Sequence, residues 1–357
     1  YAKLSGRVPL VGITSGRCFA GNAAMLGCCD VVIAAKNSNI GMGGPAMVEG
    51  GGLGVYQPEE IGTVEVQVAN GVIDIAVEDE AEAVQVAKKY LSYFQGPVED
   101  WEFEDQRMLR EIVPENRLRI YDIRRAIEIL ADTGSVLELR PKFGSGLITA
   151  FIRIEGRPMG VIANNPSYLS GAIDSPAADK GARFIQLCDN FDIPILSLCD
   201  TPGIMVGPEV EKTALVRHCC RMFLAGANVT VPFFTIVLRK CYGLGAIAMV
   251  GGSSRAPLFV VAWPSGEFGG MGLEGAVKLA FRKELSAIKN RQERKSLFDQ
   301  MVTMAYESGK ALNAASCYEI DDVIDPAESR RVITRALKAV PPPEPRAVKK
   351  HRFINSW

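Results

Sequence analysis

The feature that most constrains this chain is a repeat. Arg7-Val8-Pro9-Leu10-Val11-Gly12-Ile13 has a counterpart in Thr230-Val231-Pro232-Phe233-Phe234-Thr235-Ile236. Each run leads into a cysteine, an aromatic residue and a glycine-rich turn. The first is Cys18-Phe19-Ala20-Gly21-Asn22-Ala23 and the second Cys241-Tyr242-Gly243-Leu244-Gly245-Ala246. The prolines and cysteines keep the same separation in both copies. Gly41-Met42-Gly43-Gly44 is then echoed by Gly270-Met271-Gly272, a few residues farther from its cysteine. Several matches in one order point to a duplicated unit, so the fold must be one that a single supersecondary pattern can build twice.

Strand and helix patterns alternate around the repeat, which predicts an α/β fold. Residues 8–13 and 30–35 read as buried strands and 23–28 as a small-residue helix. The glycine-rich stretch 41–54 reads as loop, and 64–75 as two strands turning at Asn70-Gly71. Residues 80–94 form an amphipathic helix pattern. The acidic segment 96–116, with two prolines, marks a domain boundary. Beyond it, 148–155 and 158–163 read as paired strands, and 175–190 as a helix capped by Asp174 or Ser175. Residues 193–199, 231–238 and 258–262 read as strands, and 209–225, 274–289 and 291–308 as helices.

Composition narrows the function classes. A formal net charge of -1 leaves no basic footprint for nucleic acid. The basic clusters at Lys283, Arg291, Arg294 and Lys295, and at 349–352, read as solvated faces. Nine cysteines without C-x-x-C spacing predict reduced thiols, no zinc site and a cytoplasm-like compartment, or the mitochondrial matrix in a eukaryote. The apolar run 222–238 is short for a membrane span and carries Asn228, Thr230 and Pro232, so no span is expected. The chain opens almost directly on a core strand, which suggests that further residues precede Tyr1.

A strand that ends in a glycine-rich turn and a small-residue helix presents backbone N–H groups at a helix N-terminus. Such groups carry partial positive charge and suit an oxyanion. Glycine lets a ligand approach the backbone closely. The lysine and spacing of a phosphate-binding loop are missing. Two plain strand-to-helix turns would satisfy the same spacing. No side-chain nucleophile or base stands out. There is no G-x-S-x-G, His218 falls mid-helix and His351 lies in the C-terminal tail. Asp132, Glu138 and Asp174 read as caps or ion-pair members at element ends. Asp200-Thr201-Pro202-Gly203 without a phosphate loop is no GTPase signature. A chain of this kind fits a reaction whose base comes with the substrate or a cofactor.

Ordered motifs over residues 7–337 resemble the carboxyltransferase (beta) subunits of biotin-dependent acyl-CoA carboxylases. Tyr121-Asp122-Ile123-Arg124 with Asp132 and Glu138 is similar to the opening of that family's second half. So are Ile162-Ala163-Asn164-Asn165-Pro166 with Gly171 and Asp174, and then Lys180, Arg183 and Cys188-Asp189. Asp200, Pro202-Gly203, Val231-Pro232, Arg239-Lys240, Tyr242-Gly243, Trp263-Pro264 and Ile324-Asp325-Pro326 follow in the family's order.

The resemblance implies two crotonase-like spiral ββα domains related by duplication. They would be a partial N-terminal domain over 1–112 on the acyl-CoA side, and a C-terminal domain over 113–340 on the biotin side. A Pro-rich basic tail occupies 341–357. The implied reaction moves a carboxyl group from carboxybiotin, on a biotin carrier, to the α-carbon of an acyl-CoA. It runs through enolates held by two backbone oxyanion holes. Alternatives within the resemblance are a biotin-linked acyl-CoA decarboxylase of the same fold and a catalytically degenerate scaffold subunit.

By the same resemblance the catalytic backbone lies at Gly245 and Ala246 in one half and at Gly21 and Asn22 in the other. Ala20, Gly243, Ala248, Gly43, Gly44, Asn164, Asn165 and Pro166 bind substrate or biotin, and Ala248 sits where the family sets acyl size. No metal is implied. Expected partners are a biotin carboxylase with its biotin carrier and further copies of this chain, in a dimer-based homo-oligomer up to a hexamer. Against the family's Tyr-Gly-Gly-Ala-Tyr, Leu244 reads as an inserted residue. Asn22 replaces a glycine, and Gln67 and Ile75 stand for two histidines.

Overall fold

Apolar runs without polar alternation become strands covered on both faces. The computed structural model, which describes residues 1–342 and 348–357, shows this most clearly at its centre. All eight residues of Leu147–Ile154 and all seven of Ile195–Thr201 are buried. The first part of the chain builds β1 (Val11–Thr14), β2 (Arg17–Phe19), α1 (Gly21–Gly27), β3 (Val31–Ala35), β4 (Asn39–Gly41), α2 (Pro45–Gly50), α3 (Val64–Ala69), β5 (Ile75–Val77) and α4 (Glu80–Ser92). After a strandless stretch come α5 (Ile123–Leu130), β6 (Leu137–Leu139), β7 (Leu147–Ile154), β8 (Arg157–Asn164), α6 (Ser175–Asn190), β9 (Ile195–Thr201), α7 (Pro208–Glu211), α8 (Leu215–Ala227), β10 (Phe233–Tyr242) and α9 (Gly243–Met249). The chain ends with β11 (Phe259–Ala262), β12 (Glu267–Gly269), α10 (Leu273–Ala280), α11 (Arg282–Ala287), α12 (Arg291–Ser308), α13 (Ala311–Ser316), β13 (Asp322–Val323) and α14 (Ser329–Ala339).

The strands of the second part form one eight-stranded sheet, ordered β13-β11-β10-β9-β8-β7-β6, with β12 also paired to β10. The β6-β7-β8 end is antiparallel and the rest parallel. The first part forms a three-stranded sheet, β1-β3-β5, and a pair, β2-β4, all parallel. The parts share apolar packing, because Tyr90, Tyr93 and Phe94 of the first meet Phe151 of the second, with the Tyr93 and Phe151 rings stacked at 5.3 Å.

The repeat is visible as one pairing order used twice. β1 pairs with β3 and β3 with β5, as β10 pairs with β11 and β11 with β13. β2 pairs with β4 as the end of β10 pairs with β12. Val11 faces Val31 where Phe234 faces Phe259, and Phe19 faces Gly41 where Tyr242 faces Gly269. Both partner strands arrive five residues later in the second copy, so the insertion lies between α9 and β11. Gly41 therefore corresponds to Gly269 rather than Gly270. Gly44 and Gly272 then coincide as the residues before α2 and α10.

Local expectations failed where tertiary contacts outweighed pattern. Residues 64–69 are the helix α3, not a strand. Val64 and Val68, four apart, face the core, while Val66 is 56% exposed. The stretch 41–54 is not all loop, since Pro45 starts α2. The 209–225 helix is broken at Ala214, a left-handed residue at φ 58 that separates α7 from α8. The 274–289 helix is interrupted at Phe281. Asp174, not Ser175, caps α6, accepting from the Ala177 N–H at 3.0 Å.

The tail is not a solvated basic face. Residues 343–347 lie outside the described residues. After them Lys350 pairs with Asp189 at 3.0 Å and with Asp192 at 3.1 Å, and His351 Nε2 lies 2.7 Å from Asp189 Oδ2. Lys349 Nζ donates to the Ser5 carbonyl. Lys283, Arg291, Arg294 and Lys295 are exposed as expected. No helix among the described residues is long and apolar enough to cross a membrane.

A charged cluster lies buried where the two parts meet. Asp74 Oδ1 accepts from Arg140 Nε at 2.8 Å, and Arg183 donates to the Asp30 carbonyl at 2.6 Å. Burial pushes the Asp30 carboxyl up from 3.8 to about 6, against its hydrogen bond from the Leu10 N–H. A raised folded-state value means the native protein holds this proton more tightly than the unfolded chain. Its stabilising effect is present below about pH 4 and is lost as pH rises to about 6. Asp30→Asn is therefore expected to gain stability relative to wild type between pH 4 and pH 6.5, by at most about 3 kcal/mol, with a constant difference above. Denaturant melts of both proteins across that range check this, and a difference that does not change with pH contradicts it.

Candidate active site

β10 is the element that places the site. Its register against β9 shifts between Val237 and Cys241, so the strand bends just before Tyr242 and Gly243. The bend is held by Asp200 at the end of β9, a carboxylate with no exposed surface. Asp200 Oδ2 accepts from Tyr121 Oη at 2.8 Å and from Arg239 Nε at 3.1 Å, and Oδ1 accepts from the Lys240 N–H at 3.1 Å. Asn164 Oδ1 in turn accepts from the Asp200 N–H at 3.1 Å. Arg239 also donates to the Arg117 and Arg119 carbonyls. A buried charge is tolerable only when paired and fully bonded, which is what these contacts supply. Burial pulls the Lys240 ammonium down from its usual range, and Lys240 Nζ donates to the Ser170 carbonyl at 2.7 Å. Tyr242 Oη meets Glu267, which is 1% exposed, at 2.5 Å, and burial lifts the Tyr242 phenol far above its ordinary value.

Gly243 then takes φ 56 and starts α9. At the corresponding point of the first copy Ala20 takes φ 55 and ψ -123 ahead of α1. For a residue with a Cβ this is a strained backbone, and such strain collects at functional turns. Neither helix has a side-chain cap, so its first-turn N–H groups have no partner of that kind. The matched φ values and strand registers remove the ambiguity over Leu244. Gly243 corresponds to Ala20, Leu244 to Gly21 and Gly245 to Asn22, so Leu244 is not an insertion relative to the first turn. The pair equivalent to Gly21 and Asn22 is Leu244 and Gly245, one position earlier than Gly245 and Ala246.

The two turns differ in access. Nothing lies within 4 Å of where a Cβ on Gly21 would stand, and Gly21 and Asn22 are exposed. A Cβ on Gly245 would lie 2.5 Å from the Gly203 carbonyl carbon, and one on Gly243 would lie 2.8 Å from the Gly270 carbonyl oxygen. Both of these glycines allow close backbone contact, so blocking Gly245 with valine would disturb the fold as well as any site. Beside α9 a cavity of about 1120 Å³ is lined by Gly243, Leu244, Ala246 and Ile247 among others. Ala248 is not on it. That residue is 1% exposed and packs in the main core. Two residues past the Leu244–Gly245 pair the chain instead presents Ile247 to the cavity.

Asn164 and Asn165 are tied into structure. Asn165 Nδ2 donates to the Ser145 carbonyl at 2.8 Å and its Oδ1 accepts from the Ser167 N–H, next to Pro166. A Cβ on Gly44 would lie 3.2 Å from Phe19 Cδ2, and Gly43 precedes it in the loop leading to α2. Gln67 donates to the Ile40 carbonyl. Sequence reasoning passed over the Asp200–Arg239–Tyr121 contacts and the contact of Tyr242 with Glu267. The signals were an aspartate directly after the largely apolar run 193–199 and an arginine directly after the run 231–238. Among the described residues no group of three His, Cys, Asp or Glu could hold a metal ion.

The carboxyl transferase domain family matches residues 1–354. The chain belongs to that family. The methylmalonyl-CoA carboxyltransferase 12S subunit of Propionibacterium freudenreichii subsp. shermanii is 36% identical over 94% of this chain and 65% of its own length. A structure of a single-chain, multi-domain long-chain acyl-CoA carboxylase superposes with a TM-score of 0.89 at 59% identity, over 94% of this chain and 33% of that one. The transcarboxylase 12S hexamer with methylmalonyl-CoA bound superposes with a TM-score of 0.85 at 34% identity, over 98% and 69%. The chain thus spans 65% of the 12S subunit and about a third of the single-chain carboxylase.

The difference in access between the turns has a measurable consequence. Gly21→Ala is expected to raise stability by about 0.5–1 kcal/mol, through a better helix residue in open space. Gly245→Ala is expected to cost 2 kcal/mol or more, on the order of an overpacked core site. Thermal unfolding of the two variants checks this, and equal effects contradict it.

Proposed function

We propose that this chain is the carboxyltransferase part of a biotin-dependent acyl-CoA carboxylase, with two crotonase-like halves over 1–112 and 113–340. The observation that carries the reading is the turn built twice. A left-handed residue, Ala20 or Gly243, precedes an uncapped helix N-terminus in a chain of the carboxyl transferase family.

Carboxybiotin, when bound, supplies the carboxyl group and then the base that takes the α-proton of the acyl-CoA. The residues of this chain hold the charges that develop. The Gly21 and Asn22 N–H groups donate to the thioester oxygen as the α-carbon loses its proton. The Leu244 and Gly245 N–H groups donate to the ureido oxygen. The space left by the missing Cβ of Gly21 and the cavity at Gly243 and Leu244 leave room for these groups. Preorganised backbone donors of this kind contribute roughly 3–4 kcal/mol to a transition state. Asp200, through Arg239 and the Lys240 N–H, positions the second turn. Ile247, rather than Ala248, is the residue that meets the acyl group. Further copies of this chain complete the cleft, a reading supported by the hexamer of the 12S relative. A biotin carboxylase and a biotin carrier accompany it, as the multi-domain carboxylase suggests.

Leu244 is 64% exposed and its side chain is free to change, while its N–H is the proposed donor. Proline is accepted in the first helical turn but lacks that N–H. Leu244→Pro is expected to lower kcat for carboxyl transfer about a hundredfold or more, with Leu244→Ala near wild type. The assay uses the complete carboxylase with a biotinylated carrier. A folded Leu244→Pro enzyme with full activity rules out the assignment.

A further inference from the structure

A separate cavity of about 780 Å³ lies at the other end of α1 from the Gly21–Asn22 turn, where Gly27 and Cys28 border it. That volume is in the range of small-molecule sites. Four segments of the chain bring cations to its wall. Lys3 comes from the first residues, Arg183 from α6, Arg221 from α8, and Lys349 and Arg352 from the C-terminal segment. Asp30 is the one acidic side chain there among the described residues. Of the five cations, only Arg221 has a carboxylate partner among the described residues, Asp179 at 2.5 Å.

Arg183 is the group that decides the chemistry. It is 4% exposed, and its Nη2 donates to the carbonyls of Cys29 and Asp30, at 3.4 and 2.6 Å, rather than to the Asp30 carboxylate. That carboxylate accepts instead from the Leu10 N–H at 2.8 Å. The Arg183 Nε is buried and has no hydrogen-bond partner among the described residues. A guanidinium held out of water against neutral carbonyls is costly unless an anion joins it. Lys349 Nζ likewise donates to a carbonyl, that of Ser5, and Lys3 and Arg352 are exposed.

We infer that this cavity binds a phosphate-bearing small molecule. Arg183 Nε donates to one phosphate oxygen, and Lys3, Lys349 and Arg352 meet the others. A phosphate group brings several acceptor oxygens and more than one negative charge, which suits a planar guanidinium beside flexible basic side chains. A single carboxylate would leave most of these cations unpaired. Phe353 and Trp357, 57% and 39% exposed, also border the cavity and offer rings on which a base can stack. Free pyrophosphate and a nucleotide therefore share the required chemistry. The site uses none of the backbone groups assigned to carboxyl transfer.

Cys28 is exposed and borders this cavity, while Cys317 is exposed and does not. Alkylation of both by N-ethylmaleimide in the complete carboxylase, followed by mass spectrometry, reads occupancy at this place. Pyrophosphate is expected to slow the reaction of Cys28 in a saturable way and to leave Cys317 unchanged. Arg183→Lys keeps the charge and loses the Nε–H. Lys3→Glu combined with Arg352→Glu changes only exposed side chains, so it reports even where the buried variant folds poorly. The half-protecting concentration is expected to rise about tenfold or more in each variant. ADP separates the two sources. Protection by ADP below the pyrophosphate concentration assigns the site to a nucleotide, and protection only above it assigns the site to free pyrophosphate. No protection by either, equal slowing of Cys317, or protection unchanged in both variants overturns the inference. So does a Cys28 closed to the reagent without ligand, because another protein segment would then cover the cavity.

Discussion

A single buried carboxylate organises the region where the chain turns from strand to helix. Asp200 has no exposed surface and collects a phenol from Tyr121 and, from β10, a guanidinium and a backbone N–H. Arg239, 3% exposed, stacks over the Tyr121 ring at 4.8 Å and reaches back to the carbonyls of 117 and 119. Removing one partner would leave an uncompensated charge in the core, which costs several kcal/mol. The contacts therefore act together. They hold the offset of β10 against β9 just ahead of Tyr242, the last residue of the strand, and Gly243, the first of α9.

The same strand-pairing order occurs twice, and the two occurrences differ in packing. In the first copy the turn is open and carries its strain on an alanine, Ala20. In the second the glycine Gly243 accepts the positive φ without strain. Gly245 there admits the backbone of Gly203 from the neighbouring loop. Glycines in equivalent turns thus meet different surroundings: open space at Gly21, the backbone of Gly203 at Gly245. The five residues inserted after α9 give the second copy a longer passage to β11 and contribute Ser254 to the cavity.

The long elements were readable because their patterns are redundant. α4, α6 and the β7–β8 hairpin follow from periodicity and caps spread over many residues, so one ambiguous position changes little. The short elements were not. Val64–Ala69 offers alternating valines that suit a strand, and only burial of Val64 and Val68 against the first sheet selects the helix. Ala214 shows no local reason to break a helix, yet its left-handed backbone does so. The tail looked like solvated charge because sequence could not show that Asp189 and Asp192 would lie beside it.

By itself the sequence determined the duplication, the alternation of strand and helix and the two glycine turns, since these are local patterns repeated in order. It also pointed to the family and to a reaction that needs no side-chain base. Only the tertiary structure decided which residues of the second turn correspond to Gly21 and Asn22, because that depends on strand register between residues more than twenty positions apart. Tertiary packing also buried Ala248 in the core and left Ile247 lining the cavity. Tertiary packing likewise placed Asp200 beneath the bend, for an isolated aspartate at a strand end carries no mark of the arginine and tyrosine that will meet it.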